Sequence, residues 1–326
     1  MKSIKELYRI GTGPSSSHTM GPRKAAEIFL ERHPEATAFK VTLYGSLAAT
    51  GKGHMTNIAI TEVLQPVAPV EIIWEPKIFL PFHPNGMKFV SVDKEGKETD
   101  QWVVFSIGGG ALAEESDGAS SVNTPDVYSM NSMTEILQWC ERTGKSYWEY
   151  VKECEDSDIW DYLQEVWKTM QNAVKRGLEQ EGVLPGPLNL RRKASTYYIR
   201  ASGYKQSLQS RGLVFAYALA VSEENASGGV IVTAPTCGSC GVMPAVLYHL
   251  AKSREFSDTR ILRALATAGL VGNIVKTNAS ISGAEVGCQG EVGVACAMAS
   301  AAANQLFGGS PAQIEYAAEM LSLIHI

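Results

Sequence analysis

The chain has 326 residues, 45% of them hydrophobic and 19% charged, which allows a sizeable core and about two domains of ordinary size. Its net charge of −5 and pI near 5.8 argue against a nucleic-acid partner held through phosphates, which needs a basic face. The opening MKSIKELYRI has no apolar run like a signal peptide, and the chain is read as soluble and cytoplasmic, with no membrane partner.

The first 110 or so residues read as mixed α and β. PRKAAEIFLER (22–32) opens with Pro22 and places Ala25, Ile28 and Phe29 on one helical face. FKVTLYG (39–45) alternates as a strand does, and TNIAITEVL (56–64) reads as a second helix. VEIIW, IFLPFH, MKFVSVD and TDQWVVFSIGG follow as strand candidates, with DKEGK (93–97) turning the last two into a hairpin. One or two helices against a small sheet is the expected N-terminal fold.

ESDGASSVNTP (115–125) is a polar linker, and beyond it strand signals mostly stop. Ser132 with Glu135 and Ser146 with Glu149 have capping-box spacing. Ile159, Leu163, Val166, Trp167, Met170, Val174 and Leu178 recur at helical spacing, with Gly182 just past their end. Further helices are expected at 206–224, 241–254, 258–276 and 290–306. Another starts at Ser310-Pro311-Ala312-Gln313. The longest uncharged stretch, 292–314, contains Asn304, Gln305, Gly308, Gly309 and Pro311 and reads as buried helix plus loop, not a membrane span. The fold expectation is an α+β N-terminal domain joined to an all-α domain.

Six cysteines in a chain this long are not a secreted disulfide framework. Four lie between 237 and 296, as a metal site or reactive thiols would, or as small buried hydrophobes. GTGPSSSHTMGP (11–22) sets Ser15, Ser16, Ser17, His18 and Thr19 ahead of a helix N-terminus, a cradle for a carboxylate or phosphate. The plainer reading is a serine-rich loop that caps the helix. His54 in GKGHMT and His83 in PFHPNGM lie in glycine-containing turns and are candidate acids or bases. His33 and His249 read as structural. Cys237-x-x-Cys240 at a helix start has the form of a redox pair or half a zinc site, but no second such pair and no preceding thioredoxin-like strand support either. SIGGGAL (106–112) is weak evidence for a phosphate loop. In SISGAEVGCQGEVGVACAMASAAAN (280–304), Cys288 and Cys296 share a helix face about 12 Å apart, too far for one metal cluster, so Cys288 needs partners from elsewhere.

Taken together, GPSSSHTMGP, LYGSLAATGKGH, FHPNGM, SIGGG, SEENASGG, TAPTCGSCGVMPAVL and NASISGAEVGCQGEVGVACAMA resemble the bacterial iron–sulfur L-serine dehydratases, in order, from about residue 8 to residue 320. The resemblance implies conversion of L-serine to pyruvate and ammonia without pyridoxal phosphate, in a homodimer. It implies a 4Fe-4S cluster held by three cysteines with one iron open to the serine hydroxyl, and Cys288 as one of the three. His54 or His83 would then remove the α-proton, and Ser15–Thr19, Asn278 and Ser280 would hold the substrate. Cys240 matches a cysteine that is not a ligand, and Cys237 stands where many relatives have Asn. Glu285 and Glu291 would brace the site, and Cys296 would be core. The domains expected are 1–115 (beta-type, α+β), 116–130 (linker) and 131–320 (alpha-type, helical, incomplete).

The other two cluster cysteines belong to a segment resembling EHNLGLTCDP…VPC, which these 326 residues do not contain. LSLIHI (321–326) matches the in-frame translation of a transposon-end sequencing adapter and is expected to be non-native. The chain as it stands is expected to be inactive and poorly stable. Two other readings stay open: a cluster-dependent dehydratase of a different β-hydroxy acid, and a non-enzymatic serine- or anion-binding module.

Overall fold

The computed structural model describes residues 1–115, 125–281 and 283–322, the side chains of 284 and 285 excepted. The linker expected at 116–130 therefore lies outside the described residues as far as 124, and the tail expected at 321–326 lies outside them from 323 on. The chain divides into two compact units, Pro14–Thr124 and a second that joins Met1–Gly13 to Pro125–Ile326.

The first unit is built on a five-stranded sheet in the order β3-β2-β4-β5-β6. Its strands are β2 (Ala38–Tyr44), β3 (Val70–Glu75), β4 (Gly86–Val92), β5 (Glu98–Ile107) and β6 (Ala111–Ala113). Only β2 and β3 run parallel; the other neighbours are antiparallel. In β2 the alternation of AFKVTLY puts Phe39, Val41 and Leu43 on the buried face. There they meet Ala25, Ala26 and Phe29 of α1 (Gly21–Arg32), Ile60 and Leu64 of α3 (Thr56–Leu64), and Phe89, Trp102 and Val104 of β4 and β5. The β4–β5 hairpin closes as its turn chemistry requires. Asp93 Oδ1 accepts from the Glu95 and Lys97 amides at 3.0 and 2.8 Å, and the Asp93 amide donates to the Lys97 carbonyl at 3.0 Å.

One strand expectation fails. IFLPFH is irregular between β3 and β4. Pro81 and Pro84 lack the N–H a ladder needs, and the segment serves a different purpose. The carbonyls of Ile78, at its start, and of Pro84, just after its end, accept from the amides of Gly45 and Ser46 at 2.9 and 3.0 Å, the first two residues of the short helix α2 (Gly45–Thr50).

The second unit is nearly all helix: α4 (Met133–Thr143), α5 (Tyr147–Cys154), α6 (Ile159–Glu179), α7 (Ala194–Ser202), α8 (Gln206–Ala226), α9 (Val242–Arg254), α10 (Asp258–Asn278), α11 (Gly283–Leu306) and α12 (Pro311–Leu321). Ser132 caps α4 through the Glu135 amide, and Ser146 and Ser310 start α5 and α12 with full capping boxes. In α10, Ile261 and Ala264 to Asn273 are buried in succession, which marks it as the central helix of the bundle. No described helix is long and apolar enough to cross a membrane.

Residues 1–13, which the sequence reading groups with the sheet, fold with the helices. Ile4, Leu7 and Tyr8 are buried, and the Tyr8 hydroxyl donates to the Leu265 carbonyl at 3.0 Å. The strand β1 (Ile10–Thr12) pairs antiparallel with β7 (Val230–Val232), Ile10 opposite Val232. Glu155 ties down the segment before it. Its Oε1 accepts from the Ile4 amide and the Tyr128 hydroxyl at 2.8 and 2.7 Å, and its Oε2 from the Ser3 hydroxyl at 2.7 Å. Three-residue strands carry too little alternation to be read from sequence.

Candidate active site

The candidate residues divide between the two units. In the sheet unit, Ser15 caps a single π-helical turn, Ser16–Met20, that runs directly into α1. The Ser15 hydroxyl accepts from the His18 amide at 3.1 Å, and the Ser15 amide donates to Thr19 Oγ1 at 3.1 Å. Ser16, His18 and Thr19 are buried. The Thr19 hydroxyl donates to the His54 carbonyl at 2.7 Å, and the Thr56 hydroxyl to the His18 carbonyl at 2.5 Å. Those two bonds lock the serine-rich turn to the loop ahead of α3.

The lock brings two imidazoles together. The rings of His18 and His54 lie 4.8 Å apart, centroid to centroid. His18 has a hydroxyl at each nitrogen, Ser17 at Nδ1 (2.9 Å) and Ser46 at Nε2 (3.2 Å). Burial first, and the neighbouring His54 second, push His18 down to about 4, with a hydrogen bond to Ser46 pulling the other way. His18 is therefore neutral at physiological pH. His54 is half-buried, and its Nδ1 lies 3.0 Å from the Thr50 carbonyl. A carbonyl only accepts, so Nδ1 carries the proton and the neutral ring keeps its lone pair at Nε2. His83 has the opposite tautomer: its Nδ1 accepts from the Asn85 amide at 3.1 Å, so in the neutral ring the proton is on Nε2. Met55, next to His54, sits in the left-handed region at φ 57°. That conformation is costly for a side chain of this size and is typical of functional loops.

In the helical unit, α11 breaks at Gly287, where φ is 71° and ψ is 174°. Cys288 follows the break and is exposed. Glu291, one turn further on, points its carboxylate at the 236–238 turn before α9. A Cβ on Gly238 would stand 2.7 Å from Glu291 Oε2, and one on Gly283 would stand 3.0 and 3.1 Å from Oε2 and Oε1. Burial raises the Glu291 carboxyl above its ordinary value, while hydrogen bonds from the Thr236 hydroxyl and the Gly283 amide pull it back. Cys237 and Cys240 are both buried. Burial pushes Cys240 up to about 12 and also raises Cys237, with Cys240 and Glu291 adding to the Cys237 shift. Such thiols are inert, not a redox pair. Cys296, expected in the core, is half-buried against α9 and α12. Asn278, expected to hold substrate, donates from Nδ2 to the Asn131 and Ile274 carbonyls at 2.6 and 2.9 Å. Ser280 is half-buried between α10 and α11. The side chain of Glu285 lies outside the described residues.

A 4Fe-4S cluster mounted on three cysteines needs their thiolates within one small volume. Among the described residues no three His, Cys, Asp or Glu side chains stand together to hold a metal ion. Cys288 is exposed, Cys154 and Cys296 are half-buried, and Cys140, Cys237 and Cys240 are buried. With no three of these side chains gathered, the described residues do not fit the cluster.

Ser46, Thr56 and Met55 are the site residues that the sequence reading did not single out. Ser46 lies within LYGSLAATGKGH, but its place at His18 Nε2 depends on how α2 is docked, which no local pattern encodes.

Two family models match the chain, and the second begins inside the sheet unit. "Serine dehydratase beta chain" matches residues 3–73 and "Serine dehydratase alpha chain" matches residues 85–325. The chain belongs to the serine dehydratase family of lyases. It is 39% identical to L-serine dehydratase 1 of Escherichia coli K12, 37% to the L-serine dehydratase of Haemophilus influenzae and 37% to that of Streptomyces coelicolor. Each alignment covers 98% of this chain and 81–82% of the relative.

Proposed function

We propose that the chain serves the α,β-elimination of L-serine to pyruvate and ammonia, with His54 as the base. The observation that carries this reading is the hydrogen bond from His54 Nδ1 to the Thr50 carbonyl, which leaves Nε2 as the proton acceptor. The proton on serine Cα passes to Nε2, the Cα–Cβ double bond forms and the β-hydroxyl leaves. The resulting enamine tautomerises and is hydrolysed by water to pyruvate and ammonia. His18, held neutral between Ser17 and Ser46, keeps a second positive charge away from the base. The Ser15–Thr19 turn leads into the N-terminus of α1, which suits the substrate carboxylate.

Departure of the hydroxyl calls for a Lewis acid or a proton. The family resemblance assigns this to an open iron of a 4Fe-4S cluster with Cys288 as one ligand. On its own described thiols this chain does not hold such a cluster, so the 326-residue protein is read as inactive until two more thiolates join Cys288.

Anaerobic treatment with iron and sulfide, followed by a coupled pyruvate assay, tests both parts. No visible cluster absorbance and no pyruvate are expected from the 326-residue chain. Serine-dependent pyruvate from it would overturn the inactivity. In any preparation that turns over serine, His54→Gln is expected to lower kcat by about 10²–10⁴-fold and to move KM little. An unchanged kcat would remove His54 from the role.

A further inference from the structure

The two close approaches to Glu291 come from separate segments. Gly238 belongs to the turn that precedes α9, and Gly283 is the first residue of α11, ahead of the break at Gly287. Glu291 itself lies beyond the break. Its carboxylate thus sits in a notch made by two glycines and holds the Thr236 hydroxyl from one side and the Gly283 amide from the other. Neither glycine can carry a Cβ while the carboxylate stays in place, since a contact of 2.7–3.1 Å lies inside ordinary packing distance. At Gly287, with φ of 71° and ψ of 174°, the backbone leaves helical geometry. The Glu291 rivet spans that break, because it joins Gly283, in the part of α11 before the bend, to the part after it. Cys288 lies between those two parts.

We propose that Glu291 is a positioning residue that fixes the bend of α11 against the 236–238 turn and so sets how Cys288 is presented. Its relevance to catalysis rests on the reading of Cys288 as a thiolate ligand; the rivet itself does not. Gln can replace Glu, its oxygen accepting from the Gly283 amide and its NH2 donating to the Thr236 hydroxyl oxygen. Asp, one methylene shorter, withdraws from the notch, and Ala vacates it.

The test is native-state alkylation of the 326-residue chain with iodoacetamide, mapped by peptide mass spectrometry. In the wild-type chain Cys288 reacts first, and Cys237 and Cys240 are protected. With Glu291→Ala or Glu291→Asp, Cys237 is expected to react about tenfold faster and the rate at Cys288 to change, while Glu291→Gln keeps the wild-type order. Gly238→Ala supplies an independent arm. It is expected to lower the thermal midpoint of the wild-type chain and to add little to Glu291→Ala, because the clash it creates is with that carboxylate. Wild-type labelling in the Asp and Ala variants, or additive effects of Gly238→Ala and Glu291→Ala, would overturn the proposal. If Glu291→Ala does not fold, the Asp and Gln variants with Gly238→Ala alone still decide it: equal labelling in Asp and Gln variants refutes the rivet. A cluster mounted without Cys288 would overturn the thiolate reading and leave these labelling results untouched.

Discussion

The imidazoles of His18 and His54 are tilted by 39° at a centroid distance of 4.8 Å, and His54 is the second cause, after burial, of the lowered His18 value. The first expected outcome concerns that coupling. Replacing His54 by Gln removes the second cause of the depressed His18 value and leaves burial, the first, in place. The titration midpoint of His18, followed through its ring nitrogens by NMR, is expected to rise from about 4 part of the way toward 6.5. A midpoint unmoved by the substitution would mean that the rings do not interact.

The same histidine makes the fold acid-sensitive. Between 6.5 and about 4 the unfolded chain binds a proton at His18 that the folded chain does not. The stabilisation is complete above the upper value and is lost as pH falls through the lower one, up to about 3 kcal/mol in all. His18→Gln is expected to flatten the dependence of urea stability on pH across that window relative to the wild-type chain. Equal slopes would place His18 in a far more solvated setting.

Glu223 offers a stability test away from the candidate base. It is 4% exposed, and its Oε1 accepts from the amides of Lys193 and Ala194 at 2.6 and 3.2 Å, where α7 begins. Glu223→Ala strands both donors and is expected to cost about 2 kcal/mol, read as a lower urea midpoint at unchanged slope.

Gly287 supplies a fourth. Its φ of 71° with ψ of 174° lies in a region that is almost confined to glycine. Gly287→Ala is expected to lower stability by about 1–3 kcal/mol and to alter the alkylation rate of Cys288. Nothing lies within 4 Å of a Cβ placed there, so the cost is one of backbone conformation and not of crowding. A neutral substitution would mean that the bend relaxes freely.

Much of the helical unit was legible because its signals are local. Ser132, Ser146 and Ser310 announce their helices by side chain-to-amide bonds that span three residues, and the apolar stripe of α6 repeats over twenty. The helix α7 was missed: its start is capped by Glu223, thirty residues away in sequence. IFLPFH read as a strand because its hydrophobicity outweighed Pro81 within it and Pro84 just after it. At the candidate site, the serines and histidines stood out as residue types in glycine-rich turns. Their pairing, with His18 between Ser17 and Ser46 and His54 on the Thr50 carbonyl, depends on bonds between separate turns. The N-terminal strand stayed hidden because its partner is β7, on the far side of the whole sheet unit in sequence.

That pairing has a consequence for how the protein is made. During synthesis Ile10 emerges from the ribosome long before Val232, its partner in the β1–β7 ladder. The sheet unit, whose segments are contiguous in the chain, can form as soon as it clears the exit tunnel. The first thirteen residues must wait with Ile4, Leu7 and Tyr8 uncovered until the 230–232 strand and α10 arrive. The helical unit is thus the last to close, because the residues translated first find their partners only in residues translated late.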